Sequence, residues 1–295
     1  MPQPDPTQFL GLASLGQSSA DALLLPVPVE KTVSYGTGAA GGPRAILDAS
    51  LKLETFDEET LVEFADRPHV HTLPPLAADG PIEDCLARIR DCVVPLRDKF
   101  ILSLGGEHTV TYGLVTGLFA DPSEATVVQI DAHADLADEL DGRRWSHGTV
   151  MRRLWEQGCR LVQIGVRSLT QSEHALATAG PRITTYYAHN LEGQWTELLE
   201  SLRRIEGKVY LTIDVDGLDP SIIPSTGTPL PGGLSWRQTI DVIRVLTTQS
   251  RCRLVGADIV EFVPSPTPPG CDPAAARLAA KLLAWWWTGS KAGHH

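Results

Sequence analysis

Short apolar runs rich in β-branched residues alternate along the chain with longer stretches whose apolar positions recur every three to four residues. The first pattern is typical of strands buried on both faces of a sheet, and the second predicts amphipathic helices. The predicted strands are Ala22–Val29, Phe100–Leu104, Ala125–Ile130, Leu161–Val166, Lys208–Ile213 and Arg253–Val260. The predicted helices are Pro43–Lys52, Ile82–Val94, Val110–Phe119, Gly148–Gln157, Gln194–Ile205, Trp236–Thr248 and Pro273–Trp287.

This alternation predicts an α/β fold, because it builds a mainly parallel sheet with helices on both faces. No linker or internal repeat divides the chain. We therefore expect a single three-layer domain over residues 1–295, with residues 1–20 as a loose N-terminal segment. The loops Leu218–Gly233 and Val263–Gly270 are rich in Pro and Gly and each closely follows a strand, which is where open α/β sheets bind ligands.

Charge and composition exclude several classes of protein. The 295 residues include 36 acidic and 25 basic side chains, a net charge of −11, which argues against non-specific nucleic-acid binding. No apolar run approaches the roughly 18 residues that a membrane span needs, and the N-terminus does not resemble a signal peptide. Five cysteines without a CxxC pair fit a reducing compartment. We expect a cytoplasmic protein without a nucleic-acid or membrane partner.

Three polar clusters follow predicted strands directly. They are Gly105-Gly106-Glu107-His108, Asp131-Ala132-His133-Ala134-Asp135 and Asp214-Val215-Asp216. Each cluster alone has an ordinary explanation, since glycines serve turns and an Asp-x-Asp after a strand often caps one. Together, however, they gather carboxylates at the end of buried strands, which is costly unless a cation balances them. Six Asp and His side chains suit a pair of divalent ions about 3.5–4 Å apart.

These clusters carry a resemblance to the ureohydrolase family, which includes arginase and agmatinase. GGEH, DAHAD, Ser146-His147-Gly148, DVDGLDPSIIPSTGTPLPGGL and DIVEFVP occur in the family's order. The similarity runs from about Ser34-Tyr35-Gly36 to the C-terminal helix and so covers nearly the whole chain. It implies the arginase-like three-layer fold and hydrolysis of a guanidino compound to urea and an amine.

The resemblance also implies six metal ligands for two Mn²⁺ ions. Two residues would serve each ion and two would bridge them: His108 and Asp135 at the first, His133 and Asp216 at the second, and Asp131 and Asp214 between both. Manganese is the family's usual metal. The ligand types alone leave zinc, iron, cobalt and nickel open.

Four residues resemble the family's catalytic and substrate-binding groups. Asp135 would orient the attacking water and accept its proton. Glu261 would pair with the guanidino nitrogens, as a planar cation suits a carboxylate, although a capping or ion-paired glutamate is the alternative. His147 would bind substrate and shuttle protons, unless it is a surface histidine. Thr228 would position substrate or water, with Thr226 as the alternative hydroxyl.

The loop after Asp135 indicates the kind of substrate. Arginases commonly place an asparagine for the substrate carboxylate where this chain has Ala137, and Asp138, Glu139 and Asp141 make the loop acidic. Such a rim favours a terminal amine, so agmatine, hydrolysed to putrescine and urea, fits better than arginine. Arg143 and Arg144 could instead pair with a substrate carboxylate, so a substrate that carries one stays an alternative. Guanidinobutyrate, guanidine and aminopropylagmatine are further alternatives.

Two rival functions and the assembly remain open from the sequence. A related metal-dependent deacetylase shares the fold but typically needs one ion, whereas this chain carries ligands for two. A non-catalytic amine-binding regulator is a second alternative, which the complete ligand set disfavours. The resemblance implies a homotrimer or homohexamer, and the Trp285–Trp287 run is a candidate for subunit packing.

Overall fold

The computed structural model describes residues 5–264 and 270–293, and an eight-stranded sheet runs through its centre. Its strands, in chain order, are β1 (Ala22–Val27), β4 (Val70–Thr72), β5 (Phe100–Gly105), β6 (Ala125–Ile130), β7 (Arg160–Val166), β8 (Ile183–Tyr187), β9 (Glu206–Asp214) and β10 (Arg251–Val260). They lie in the order β4-β1-β5-β10-β9-β6-β7-β8, and all neighbouring pairs are parallel. A separate antiparallel hairpin joins β2 (Phe56–Asp57) to β3 (Val62–Glu63).

Eight α-helices cover the two faces of the sheet within the described ranges. They are α1 (Gly42–Ser50), α2 (Ile82–Val93), α3 (Val110–Leu118), α4 (Val150–Glu156), α5 (Gln171–Ala179), α6 (Leu191–Arg203), α7 (Trp236–Arg244) and α8 (Asp272–Lys291). Strand side chains alternate between two apolar clusters. Leu24 belongs to a cluster that includes residues of α1, α6, α7 and α8, whereas Leu23 and Leu25 belong to one that includes residues of α2, α3, α4 and α5. This arrangement confirms the predicted three-layer α/β fold with a parallel sheet.

Every predicted helix and strand overlaps an observed element, with ends that shift by a few residues. The predicted helix Trp236–Thr248 changes after Arg244 into a π-helical segment, Val245–Gln249. The last helix continues past Trp287 to Lys291. None of the described helices is both long and apolar enough to cross a membrane.

The sequence patterns did not reveal the hairpin, β4, β8 or α5. The hairpin strands and β4 have only two or three residues each, too few for a periodic pattern. β8 is a partly exposed edge strand with the polar sequence ITTYY. The helix α5 has a weak apolar stripe, but Thr170 and Glu173 form a reciprocal capping box at its N-terminus. That Thr-x-x-Glu spacing is the signal that would have located the helix.

The ends of the chain bear on two expectations. In the N-terminal segment 1–20 the structure describes residues from Asp5 onward, and the side chains of Phe9 and Leu10 are buried in the core. Residues 1–4 lie outside the described ranges. The predicted loop Val263–Gly270 also falls largely outside them, since residues 265–269 are not described.

A buried ion cluster ties the β2–β3 hairpin to α8. The Lys281 ammonium lies 2.8 Å from Asp57 Oδ2 and 2.9 Å from Glu58 Oε1. Lys281 and Asp57 are both buried. Burial raises the pKa of Asp57, but its bonds to Lys281 and Thr60 outweigh this effect and hold the pKa below its ordinary value. The carboxylate is therefore ionised, with Lys281 as its closest cation and Arg277 at 3.4 Å as a second one.

We expect Lys281→Met to lower the free energy of unfolding by about 3 kcal/mol, because the buried Asp57 charge loses its closest cation. Chemical denaturation measures this loss. Arg237→Met is the matched control, since Arg237 bonds the neighbouring Glu59 from an exposed position, and it should cost less than about 1 kcal/mol. Equal losses in the two variants would contradict this account of the cluster.

Candidate metal centre

The polar clusters meet at the carboxyl ends of four adjacent strands. β5, β10, β9 and β6 are neighbours in the middle of the sheet, although they are far apart in sequence. Val260 of β10 is paired with Asp214 of β9, and Ile130 of β6 is paired with Ile213. Residues that directly follow these strands therefore emerge at one edge. This strand order brings all six predicted ligands together.

A first group forms around His108, just after β5. Three carboxylate oxygens approach its Nδ1: Oδ2 of Asp131 at 3.0 Å, Oδ2 of Asp135 at 3.0 Å and Oδ2 of Asp214 at 3.4 Å. All four side chains are buried. The ligand atoms of His108, Asp131 and Asp135 all lie within 4.8 Å of one another, a spacing that a single ion can occupy.

A second group forms around His133. Its Nδ1 lies 3.1 Å from Oδ2 of Asp216 and 3.6 Å from Oδ1 of Asp131. Asp131 thus turns one oxygen toward each histidine, as a bridging carboxylate does. As Oδ1 of Asp131 accepts the amide hydrogen of His133 at 2.6 Å, Oδ1 of Asp214 accepts that of Asp216 at 2.9 Å. In this geometry only Oδ2 of Asp214 faces the first group.

The donor set fits divalent cations. Nδ1 of His108 is buried and makes no hydrogen bond of acceptable geometry within the described part of the chain, although three carboxylate oxygens surround it. Buried polar atoms without a partner are rare in folded proteins. Carboxylate oxygens and imidazole nitrogens are suitable ligands for Mn²⁺ or Zn²⁺. A cation between these atoms would give the nitrogen its partner and offset the carboxylate charges.

The protein alone balances this charge with protons. Burial raises the pKa of Asp135 to about 7, and the Asp131 charge adds to that effect. Burial likewise raises the pKa of Asp214 well above its ordinary value. Burial lowers the pKa of His133, but hydrogen bonds to Asp131 and Asp216 more than reverse this and raise it to about 12. Burial also lowers the pKa of His108, but the three carboxylates around its Nδ1 outweigh this effect and raise it. Bound cations would displace these protons.

Two candidate catalytic residues have backbone conformations that side chains rarely adopt. Asp135 has φ of 52° and Glu261 has φ of 62°, both in the left-handed region. Such a conformation costs on the order of 1–3 kcal/mol and persists where surrounding bonds enforce it. The Asp135 carbonyl accepts the amide of Arg152, and the Glu261 amide donates to the Gly106 carbonyl. The fold therefore holds these two carboxylates in position at a cost in stability.

The remaining predicted site residues line one cavity with the metal ligands. Oε1 of Glu261 accepts the amide hydrogen of His108 at 2.6 Å, and burial raises the pKa of Glu261 to about 8. Thr228 donates a hydrogen bond to Oδ2 of Asp216 at 3.1 Å. Thr226, the alternative hydroxyl, is absent from the residues that line the cavity. Of the two threonines, Thr228 is the one that reaches this space.

His147 lies across the cavity from the sheet. Its amide donates to the Thr32 hydroxyl at 3.2 Å, and its Nδ1 lies 3.2 Å from the Ser146 hydroxyl. Burial lowers the pKa of His147, and the charge of Glu107 acts in the opposite direction. The imidazole is therefore neutral at pH 7. A neutral imidazole can accept a proton and return it.

Two residues that the sequence did not single out hold the site in place. Oε2 of Glu107 accepts the amides of Lys31 and Thr32 at 2.6 Å each, and its Oε1 accepts the Thr32 hydroxyl. It thereby fixes the loop that contacts His147. Oε1 of Glu173 accepts the amide of Leu136, which follows Asp135. Glu107 lies in the GGEH motif, but no local pattern indicates that its partners come from a loop about 75 residues away.

The cavity has a volume of about 620 Å³ and a strongly acidic lining. Beside the metal ligands and Glu261 it is lined by Asp138, Glu139 and Glu173, and by no lysine or arginine from the described ranges. Arg143 and Arg144, the two candidates for pairing with a substrate carboxylate, bind other partners. Arg143 donates to the Lys31 carbonyl and Arg144 pairs with Glu156.

Comparison with known proteins gives consistent matches. A family model described as the arginase family matches residues 20–285. Over 293 residues the chain is 36% identical to an N(1)-aminopropylagmatine ureohydrolase of Synechocystis sp., covering 95% of this chain and 94% of that relative. Over 254 residues it is 32% identical to an agmatinase of Pyrococcus horikoshii, covering 85% and 86%. The crystal structure of the agmatine ureohydrolase of Thermoplasma volcanium has the same fold, with a TM-score of 0.83 at 24% identity over 99% of this chain and 97% of that one.

We expect Mn²⁺ binding at pH 7 to release on the order of three protons per chain, because the raised pKa values of His108, His133 and Asp214 keep these groups protonated without metal. For the same reason Mn²⁺ affinity should rise as the pH increases. Isothermal titration calorimetry in buffers of different ionisation enthalpy measures the proton count. Asp131→Ala should weaken both ions, since this carboxylate faces both groups. Binding without proton release would show that the cation lies elsewhere.

Proposed function

The chain belongs to the arginase family, and from this membership we propose that it uses two Mn²⁺ ions to hydrolyse N(1)-aminopropylagmatine to urea and an amine. Membership makes the chain a ureohydrolase that acts on guanidino compounds. The name of the Synechocystis relative, N(1)-aminopropylagmatine ureohydrolase, supports this substrate. The name of the Pyrococcus relative supports agmatine, which the acidic loop also favours and which is the second candidate.

The observation that carries this proposal is the charge pattern of the cavity. At its inner end lie five of the six Asp and His side chains, all but Asp131, and at its rim lie further carboxylates, while no described lysine or arginine lines it. A guanidinium and a distal ammonium would both be attracted to this surface. A substrate carboxylate, as in arginine, would meet negative charge without a cation to pair with.

The metal ligands would each have a defined place. His108 and Asp135 would hold one ion and His133 and Asp216 the other, and Asp131 and Asp214 would be the carboxylates shared by both ions. Bound divalent ions would lower the pKa of a water molecule toward neutrality and so supply the nucleophile.

The protein side chains would orient the substrate and move the protons. Glu261 would hold the guanidinium, and this cation would in turn favour the ionised carboxylate. The water oxygen becomes the urea oxygen, the bond between the guanidino carbon and the alkylamine nitrogen breaks, and both water protons end on that nitrogen. Asp135 would take the first proton from the attacking water. His147, neutral at pH 7, would pass a proton to the leaving amine.

Glu139 is the carboxylate at the rim that is available for a distal ammonium. Asp138 is paired with Arg153 at 2.8 Å. Both oxygens of Glu173 are engaged, one by the Leu136 amide and the other by Thr170. Glu139 is exposed, lines the cavity and has no hydrogen bond or ion pair with any described residue. We propose that it binds the terminal amine.

A urea-release assay with Mn²⁺ across guanidino substrates tests the function. We expect the highest kcat/KM for N(1)-aminopropylagmatine, agmatine next, and arginine at least about tenfold below both, because its carboxylate meets the acidic lining. Asp135→Asn should remain folded and release no urea. Preference for arginine would overturn the substrate assignment. Acetate release from an acetylated polyamine would favour a deacetylase, and Mn²⁺ binding without any turnover would favour a regulator.

For Glu139→Gln we expect KM for N(1)-aminopropylagmatine to rise about two- to fivefold with kcat unchanged, since an exposed ion pair contributes about 0.2–1 kcal/mol. The difference from the unmodified chain should shrink in high salt. Asp141→Asn is the matched control, because Asp141 lies in the same loop but does not line the cavity. Its left-handed φ of 53° suits asparagine. An equal rise in KM for both variants would indicate a general field effect.

Cytoplasmic location stays a prediction from the sequence composition, and assembly as a homotrimer or homohexamer stays one from the family resemblance.

A further inference from the structure

A row of buried polar side chains crosses the sheet one layer beneath the metal ligands. Asp258 of β10 is paired with Thr212 of β9, Thr212 with Gln129 of β6, and Gln129 with Gln163 of β7. All four are fully buried. Two residues further along β9 and β6 come the metal-ligand positions 214 and 131. Because alternate residues of a strand point to the same face, this row lies directly behind the candidate metal centre.

Members of the row contact the ligands above them. Gln129 Nε2 donates to Oδ2 of Asp131 at 2.7 Å, and Gln163 in turn bonds Gln129 at 2.6 Å. Thr212 lies 2.8 Å from Nε2 of His108 through its hydroxyl oxygen. The row therefore contacts His108 and Asp131, one ligand of the first group and the carboxylate shared by both groups.

The contact with Thr212 bears on the protonation of His108. A neutral imidazole has one proton, and the nitrogen that binds a metal must be the other one. Since Nδ1 faces the three carboxylate oxygens, Nε2 must carry the hydrogen and donate it to the Thr212 hydroxyl. The hydroxyl then has its own hydrogen to donate. An apolar residue at position 212 would leave Nε2–H buried without an acceptor.

Asp258 is linked to Thr212 through Thr111, whose hydroxyl oxygen lies 3.4 Å from that of Thr212. Its Oδ2 accepts the hydroxyls of Thr111 and Tyr210 at 2.8 Å each. Burial raises the pKa of Asp258, while nearby His108 and hydrogen bonding from Thr212 lower it. The carboxylate has no arginine or lysine partner among the described residues. Because Thr111 donates its hydrogen to Asp258, its oxygen can accept the Thr212 hydroxyl, which leaves the Thr212 oxygen to accept from His108.

We propose that Thr212 is a positioning residue that holds His108 in the tautomer and orientation required to bind a divalent ion. This inference rests on the metal centre of the proposed function and is independent of the substrate. Hydrogen-bond partners of this kind typically change metal affinity by about 10- to 100-fold. The effect should be confined to the ion that His108 binds.

The test compares Thr212→Val with Thr111→Val in the full chain. Both changes replace a buried threonine by a side chain of the same shape, and both remove a hydroxyl near Asp258, but only the Thr212 hydroxyl contacts the His108 imidazole. Mn²⁺ affinity is measured by equilibrium titration, following free Mn²⁺ by electron paramagnetic resonance. We expect Thr212→Val to weaken one of the two ions about 10- to 100-fold and to leave the other unchanged. Thr111→Val should change neither ion by more than about threefold, and Thr212→Ser should restore binding.

The remaining outcomes separate this inference from the function itself. If the unmodified chain binds two ions and Thr212→Val binds both with the same affinity, the positioning role is wrong and the proposed function stands. Equal weakening by Thr111→Val, weakening of both ions, or failure of Thr212→Ser to restore binding would show a general packing effect instead. An unmodified chain that binds no Mn²⁺ would overturn the metal centre and this inference together.

Discussion

The structure depends on the electrostatic repulsion among carboxylates that are buried at one edge of a parallel sheet. Asp131, Asp135 and Asp214 turn oxygens toward the same His108 nitrogen, and Glu261 lies against the His108 amide. Without a cation, the site can balance this charge only by keeping protons on groups that ordinarily lose them. Divalent cations remove that conflict. The same concentration of negative charge then provides a surface for a guanidinium.

The fold tolerates this arrangement because rigid elements enforce it from several sides. Parallel register brings the ends of β5, β10, β9 and β6 to one edge, and the polar row beneath bonds His108 and Asp131 from within the sheet. Glu107 and Glu173 hold loops on the outer side. Asp135 and Glu261 keep unfavourable backbone conformations in this frame. Stability is thus lowered locally to aim reactive groups, and the two apolar layers on either side of the sheet offset the cost.

Under the proposed function, selection among guanidino substrates would follow from where the counter-charges lie. Arg143 and Arg144 bind the Lys31 carbonyl and Glu156, which do not line the cavity, and Arg153 pairs with Asp138 of the lining. Their engagement leaves the lining acidic and Glu139 without a partner. A family scaffold that binds the guanidino group in one way can therefore distinguish amines from amino acids through the pairing of a few rim charges.

Local patterns in the sequence were enough to predict the fold class and the candidate ligands. Apolar runs and helical periodicity are local patterns, and GGEH, DAHAD and DVD each stand directly after a buried strand, so neighbouring residues contain the information. The residues that hold these ligands in place become apparent only in the folded chain. Thr212 and Asp258 become neighbours only because β10 inserts between β5 and β9, and Glu107 meets the loop at Thr32 only in the folded chain. Strand order and the pairing of exposed charges are set by packing over the whole domain, and no short stretch of sequence records them.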